Sequence, residues 1–206
     1  VTAQIPLVAA KDRPPGWTAK DAKYTPRALA DVCVRLLSWS GVYRVVEPHA
    51  GSGVFVDAVR AHVRHHVSVD GFDIDPNCPA VSSGKAALAD VLDMSSSSST
   101  VAGGYDRAIG NCPYSKLTAP PHSRIVQHTA HCLTLARDVA FVLPIRILAG
   151  TESVSGWIAR APLAEVWPFI ERPWPENERG VGLFLFRNGH TGPMRVHPPM
   201  SWKVTP

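Results

Sequence analysis

No apolar stretch in this sequence approaches the roughly 18 residues that cross a bilayer, so no transmembrane helix and no membrane partner are expected. The first seventeen residues lack the basic start and long apolar run of a secretory leader, which predicts a cytoplasmic protein. Their Pro and Gly content predicts an extended arm over residues 1–22. Cysteine is sparse. Cys33, Cys78, Cys112 and Cys132 show no CxxC spacing and no companion His at zinc-finger distance, so they read as reduced thiols and no metal is expected. His62, His65 and His66 crowd one helix end, and His128 and His131 are three apart. Ordinary helix-surface histidines account for both groups, with a metal pair as the alternative.

What is present is a foldable chain. It has 206 residues, 45% of them hydrophobic, enough for one good core and too apolar for disorder. The net charge of +4 is unevenly spread. Residues 1–66 hold nine Lys or Arg against five acids, whereas residues 67–120 hold three against six. A basic first third beside an acidic middle fits a nucleic-acid surface next to a cation-binding site, and equally fits ordinary solubility charges.

The chain alternates predicted helices and strands. Thr25 is expected to cap a helix with Pro26 in its first turn, followed by Leu29, Val32, Cys33, Leu36 and Leu37 at helical spacing. Strands are predicted at 43–47, 67–73, 88–92, 105–110, 139–143, 166–170 and 181–186. Helices are predicted from Val54 to near His65, over 76–86, 122–137 and 154–161, the last capped by Ser153. The polar run 95–100, residues 115–121 and residues 171–180 read as loops. Seven apolar strands with interleaved helices imply a mostly parallel α/β sheet covered on both faces. Such sheets bind ligands at the carboxyl ends of their strands.

Two strand ends carry the chemistry. The first runs Val45-Val46-Glu47-Pro48-His49-Ala50-Gly51-Ser52-Gly53, an acid followed by a small-residue turn that lets backbone approach a ligand. It differs from the GxGxxG dinucleotide fingerprint and is read either as a ligand loop or as a plain turn. The fourth strand ends in Asn111-Cys112-Pro113-Tyr114. Between them, Asp73 ends the second strand, where an acid grips ribose hydroxyls; Asp75 is the alternative, or a cap for the following helix. Asp93 and Met94 end the third.

Together these motifs resemble the amino-methylating DNA methyltransferases that use S-adenosylmethionine, in particular the compact N6-adenine enzymes of phages and prophages. The resemblance covers most of the chain. It implies a single domain over residues 23–206 with a Rossmann-like, seven-stranded α/β methyltransferase sheet and helices on both faces. It also implies that Tyr24, Thr25, Glu47, Pro48, Ala50, Gly51, Gly53, Asp73, Asp93, Met94 and Asn111 hold the cofactor. Lys23-Tyr24-Thr25-Pro26-Arg27 is similar to the segment that closes over the methionine end. Asp93 would meet the adenine amino group and Met94 its ring, unless Met94 is simply a core side chain.

By the same resemblance, Asn111, Cys112, Pro113 and Tyr114 form the catalytic motif. An aromatic amine is a poor nucleophile. Asn111 Oδ1 and the carbonyl of residue 112 would engage its hydrogens, and Tyr114 would stack on the extruded base. The family pattern has Pro where this chain has Cys112. The carbonyl survives that change, and Pro113 still biases Cys112 toward extended backbone. A cysteine attacking the ring is rejected, because that chemistry uses Pro-Cys rather than Cys-Pro. Arg172-Pro173 and Gly189-His190-Thr191-Gly192-Pro193 are similar to a C-terminal signature of the phage enzymes. No stretch is long enough for a separate recognition domain, so Lys116, Arg172, Trp174, Arg179, His190 and Arg195 are the expected DNA contacts, assisted by a second subunit or homodimer. His190 and Arg195 fit a structural hairpin equally well. Methylation of RNA or of a protein glutamine, or a cofactor-binding protein that has lost catalysis through Cys112, are the competing readings.

Overall fold

The computed structural model describes residues 24–63, 66–94, 104–114, 123–149, 156–174 and 180–203. The expected arm at residues 1–22 lies outside them, as do residues 95–103, 115–122 and the proposed cap Ser153.

Eight strands form one sheet in the order β3-β2-β1-β4-β5-β7-β6-β8. They are β1 (Arg44–Glu47), β2 (Ser68–Asp73), β3 (Ala87–Leu88), β4 (Tyr105–Asn111), β5 (Ala136–Pro144), β6 (Leu163–Pro168), β7 (Val181–Arg187) and β8 (Arg195–Val196). The five strands β3, β2, β1, β4 and β5 are parallel; β7 is antiparallel to both β5 and β6. Six of the eight match expected strands, and β3 overlaps a seventh at Leu88 alone. β8 was not expected: its two exposed residues carry no apolar pattern, and it pairs parallel to β6 at the sheet edge.

Strand alternation divides the core between two faces. Val45, Ile109, Ala140 and Val142 pack with α1 (Arg27–Leu36) and α2 (Val54–His62). Val46, Ala108, Phe141 and Leu143 pack with residues from α4 (Arg124–Leu135), including Ile125 and Cys132. Leu29, Ala30, Cys33 and Val34 form the buried stripe of α1 at helical spacing. The central strands are therefore buried on both sides, the usual condition of a parallel sheet.

Three local expectations are corrected. Helix α1 starts one residue later than expected: Pro26, not Thr25, is its cap residue, with ψ at 139° and no side-chain capping bond. Proline fixes φ but leaves ψ free to stay extended. Helix α3 is only Pro79–Ser82. Ser83 donates its hydroxyl to the Pro79 carbonyl and Gly84 turns to φ 71°, which ends the helix. The expected strand at 88–92 is the two-residue β3 followed by a tight helical turn, Val91–Asp93. The Asp90 side chain accepts from Leu92 N at 2.9 Å and bends the chain out of the sheet.

At the amino edge of the parallel strands, buried Arg107 pairs with Asp138 at 2.9 Å and donates to the Ser38 carbonyl. This fastens β4 to β5 and to the α1–β1 connection, far from the carboxyl edge where the motifs gather.

Candidate active site

Glu47 lies one residue past Val46, so it returns to the α2 face of the sheet. Its buried carboxylate accepts from Val56 N at 2.9 Å, near the start of α2. This bond ties the end of β1 to the start of α2. Burial pushes the Glu47 pKa well up, and bonds from Val56 and Phe55 oppose the shift.

The turn after Glu47 is held from β2. Asp73 accepts from Gly51 N and from Asp75 N, each at 2.8 Å. Burial raises its pKa against these bonds. Gly51 at φ 52° and Gly53 at φ 78° occupy the left-handed region that glycine tolerates. The space above them is closely contacted. A Cβ on Gly51 would come within 3.1 Å of the Tyr24 ring, and one on Gly53 within 3.1 Å of Lys85 Cδ. Lys85 was missed in sequence; its ammonium pairs with Asp57 at 2.6 Å across the mouth of α2. Pro48 and Ala50 are buried beneath the turn.

Tyr24 is 43% exposed, with its ring against Gly51. Burial and the neighbouring Cys78, Asp75 and Asp73 raise its pKa, which puts the phenol beside the acids of the β2 end. Thr25 is buried. Asp93 is exposed at the end of its tight turn, and Met94 is half-buried against the α4 face. Ile74, an exposed apolar side chain directly after Asp73, was not singled out from sequence.

The tetrapeptide ends β4 beside β1 and β5. Asn111 is in register with Val142. The chain then folds back, so that the Tyr114 hydroxyl lies 2.5 Å from Asn111 Oδ1 and 2.9 Å from the Val142 carbonyl. Pro113 is half-buried between them. Cys112 points the other way, into the α4 face, where it is 1% exposed. Burial raises its thiol pKa well above the usual value, so the sulfur stays protonated and is no nucleophile.

Two further contacts were not expected from the sequence. His49, inside the β1 turn, shares a hydrogen bond with His128 of α4, 2.8 Å between Nε2 and Nδ1. Burial lowers the pKa of both, that of His128 to about 4. Trp174 was expected as an exposed contact but is buried. Its indole N–H donates to the Tyr24 carbonyl at 3.0 Å, and its ring meets Tyr114 edge to face at 6.3 Å. These contacts span 79 and 150 residues of sequence, beyond the reach of any local pattern.

The remaining expected contacts are dispersed. Arg172 is exposed on the segment leading to Trp174, while Lys116 and Arg179 lie outside the described residues. His190 follows β7, whose last residue Arg187 pairs with Asp138 at the amino edge of β5, the end of the sheet opposite Asn111. Arg195 is on the outer edge strand, with β5, β7 and β6 between it and β4. The structure therefore does not bring these two to the motif. Among the described residues no cluster of three or more His, Cys, Asp or Glu could hold a metal ion, and no helix is long and apolar enough to cross a membrane.

No protein-family profile matches the sequence, and no curated protein matches it. Solved structures do match. A Listeria monocytogenes protein provisionally described as a class I S-adenosylmethionine-dependent methyltransferase superposes with a TM-score of 0.71 at 13% identity, covering 92% of this chain and 69% of its own. The methyltransferase subunit of a Streptococcus thermophilus type I restriction-modification system gives 0.64 at 15% identity, over 82% of this chain and 45% of its own. A Pyrococcus horikoshii protein provisionally described as an RNA methyltransferase gives 0.58 at 13% identity, over 84% and 91%. This chain spans less than half of the restriction-modification subunit. At these identities the likeness establishes architecture: the chain has the α/β Rossmann-like fold of the class I S-adenosylmethionine-dependent methyltransferases.

Proposed function

We propose that this protein transfers a methyl group from S-adenosylmethionine to the exocyclic N6 amino group of adenine in DNA. The observation that carries the reading is the placement of Asn111-Cys112-Pro113-Tyr114 at the carboxyl end of β4, immediately beside the glycine turn that ends β1. The turn suits the cofactor. Its glycines admit close backbone approach, Asp73 and Asp93 offer acceptors to ribose and adenine, and Ile74 and Met94 offer apolar surface for the ring. Tyr24 and Thr25 border the methionine end. Pro48, Ala50 and buried Glu47 shape the turn from below. When bound, the cofactor supplies an electrophilic methyl on a sulfonium centre.

The protein's own groups hold the acceptor. Asn111 Oδ1 accepts one amino hydrogen and the Cys112 carbonyl the other, which aims the nitrogen lone pair. Tyr114 borders the base. The nitrogen sheds its proton after transfer, so no dedicated base is required. A target within a duplex must first leave the stack, which costs a few kcal/mol and favours mismatched or single-stranded sites. Lys116, Arg172 and Arg179 are the proposed DNA contacts, with a second subunit or homodimer completing sequence recognition. The setting proposed is the cytoplasm of a bacterium or phage-infected cell.

The restriction-modification likenesses favour DNA, while the Pyrococcus likeness keeps RNA as the second reading. Incubation of the protein with labelled S-adenosylmethionine and unmethylated DNA should yield N6-methyladenine on nucleoside digestion. Parallel incubations with RNA and with cellular protein identify the other acceptors. Label in RNA or protein alone would overturn the DNA assignment, and donor binding without transfer to any of the three would point to a protein that has lost catalysis.

A further inference from the structure

We propose that Trp174 is a positioning residue that fastens the cofactor-side segment at Tyr24 to the base-side Tyr114, so that donor retention and target geometry are set by one side chain. The inference rests on the methyltransferase reading above and adds a residue to it. Three separate parts of the chain meet at this indole. Its N–H donates to the Tyr24 carbonyl at 3.0 Å. The Tyr24 ring in turn lies against Gly51, close enough that a Cβ there would approach it to 3.1 Å. On its other side the indole meets Tyr114 edge to face, 6.3 Å between centroids at 73°. Tyr114 reaches both Asn111 and Val142 through its hydroxyl. One continuous path of contacts therefore joins the glycine turn to the tetrapeptide.

The burial of Trp174 fits this role better than the exposed nucleic-acid contact expected from sequence. At 6% exposure it has little face left for a base or a phosphate. It packs with Val181, Phe169 and the α1–α2 side of the core, which gives it a rigid seat. Tyr24, by contrast, is 43% exposed and precedes the first helix. The indole hydrogen bond is a specific tie from the rigid sheet to that segment.

The test separates the two halves of the tie. Trp174→Phe keeps a ring beside Tyr114 and removes the N–H; Trp174→Leu fills space but removes both. Calorimetry gives the dissociation constant for S-adenosylmethionine, and steady-state methylation gives KM and kcat. Trp174→Phe should weaken donor binding about 3- to 10-fold, the usual worth of one hydrogen bond, with kcat at saturating donor changed less than about twofold. Trp174→Leu should bind donor no worse than the Phe variant yet lose roughly a further 10-fold in kcat, as Tyr114 loses its edge contact. A purely structural role would lower the active fraction, and so kcat, in both variants while leaving donor affinity and KM untouched; that result overturns the inference. Wild-type donor affinity in folded Trp174→Phe overturns it as well. Failure of the wild-type protein to bind the donor at all would overturn the methyltransferase reading, and this inference with it, before any variant is compared.

Discussion

The Tyr114 hydroxyl stands between Asn111 Oδ1, 2.5 Å away, and the Val142 carbonyl, 2.9 Å away. A hydroxyl has one hydrogen, so it donates to one of these acceptors at a time or is shared between them. Either way it fixes where the Asn111 amide stands. From sequence, Tyr114 is a stacking face alone. The structure gives that hydroxyl a second task. Tyr114→Phe should leave donor affinity unchanged while lowering kcat about 5- to 10-fold, because the Asn111 oxygen is no longer held. Asn111→Ala should abolish transfer and also spare donor affinity. Calorimetric donor titration beside a methylation assay checks both. Equal loss of donor binding in Asn111→Ala would move Asn111 to the cofactor side.

The architecture was legible because it follows from local rules. Apolar runs closed by Gly, Pro or Asp mark strand ends, and the motifs fall on those ends. Two kinds of feature were not legible. One is a polar side chain that redirects the backbone, as Asp90 does by capping the turn after β3 and Ser83 by closing α3. The other is contact between distant segments. Nothing local tells that Trp174 meets Tyr24, that His49 meets His128, or that Glu47 accepts from Val56. What each side chain touches could not be read from the sequence.

Cys112 occupies the position that departs most from the expected pattern, and its side chain packs in the core against residues of α4. Burial keeps its thiol protonated. Folded protein should therefore resist iodoacetamide at Cys112 near pH 8, with peptide mass analysis as the readout, and react only once unfolded. Cys112→Ala should retain transfer within a few-fold, at a stability cost of about 1 kcal/mol for the small cavity. Inactivity of a stably folded Cys112→Ala would give the sulfur a chemical role after all.

Glu47 provides a test of electrostatics beneath the glycine turn. Burial lifts its folded pKa above the unfolded value, despite the helix N–H groups that favour the charge. A carboxyl raised in this way stabilises the fold fully below its unfolded pKa, and that contribution is lost as pH rises through the folded pKa. Glu47→Gln is neutral throughout. The stability of the wild type relative to Glu47→Gln should therefore decline as pH is raised from about 4 to 8, read from denaturant melts at each pH. A difference that grows with pH would mean that the helix end wins over burial. Glu47→Ala should cost about 1–2 kcal/mol at low pH, with the cost shrinking as pH rises for the same reason, and should weaken donor binding indirectly, by loosening the turn.

The His49–His128 pair provides a test of acid stability. Each imidazole spends one nitrogen on the other, and the outer nitrogens, His49 Nδ1 and His128 Nε2, are buried without a partner among the described residues. Protonating either ring puts a charge into this enclosed contact. Burial depresses the pKa of His128 to about 4, reinforced by the nearby Arg124 and His131, and depresses that of His49 by burial and by His128 itself. The sign is opposite to that of Glu47. Stability from a histidine with a lowered pKa is present above its unfolded value and is lost as pH falls toward the folded value. Between about pH 6.5 and pH 4, the His128 shift alone corresponds to a loss on the order of 3 kcal/mol. The loss should appear as a steep fall in melting temperature over that range. His128→Phe removes this titration and the ring partner of His49 together, so its melting temperature should be lower near pH 7 but should fall less on acidification. Parallel curves for the two proteins from pH 7 to pH 4 would show that the pair does not govern acid stability. Because His49 lies in the turn after β1, donor affinity should drop over the same pH interval, and a donor titration at pH 5 and pH 7 connects the two effects.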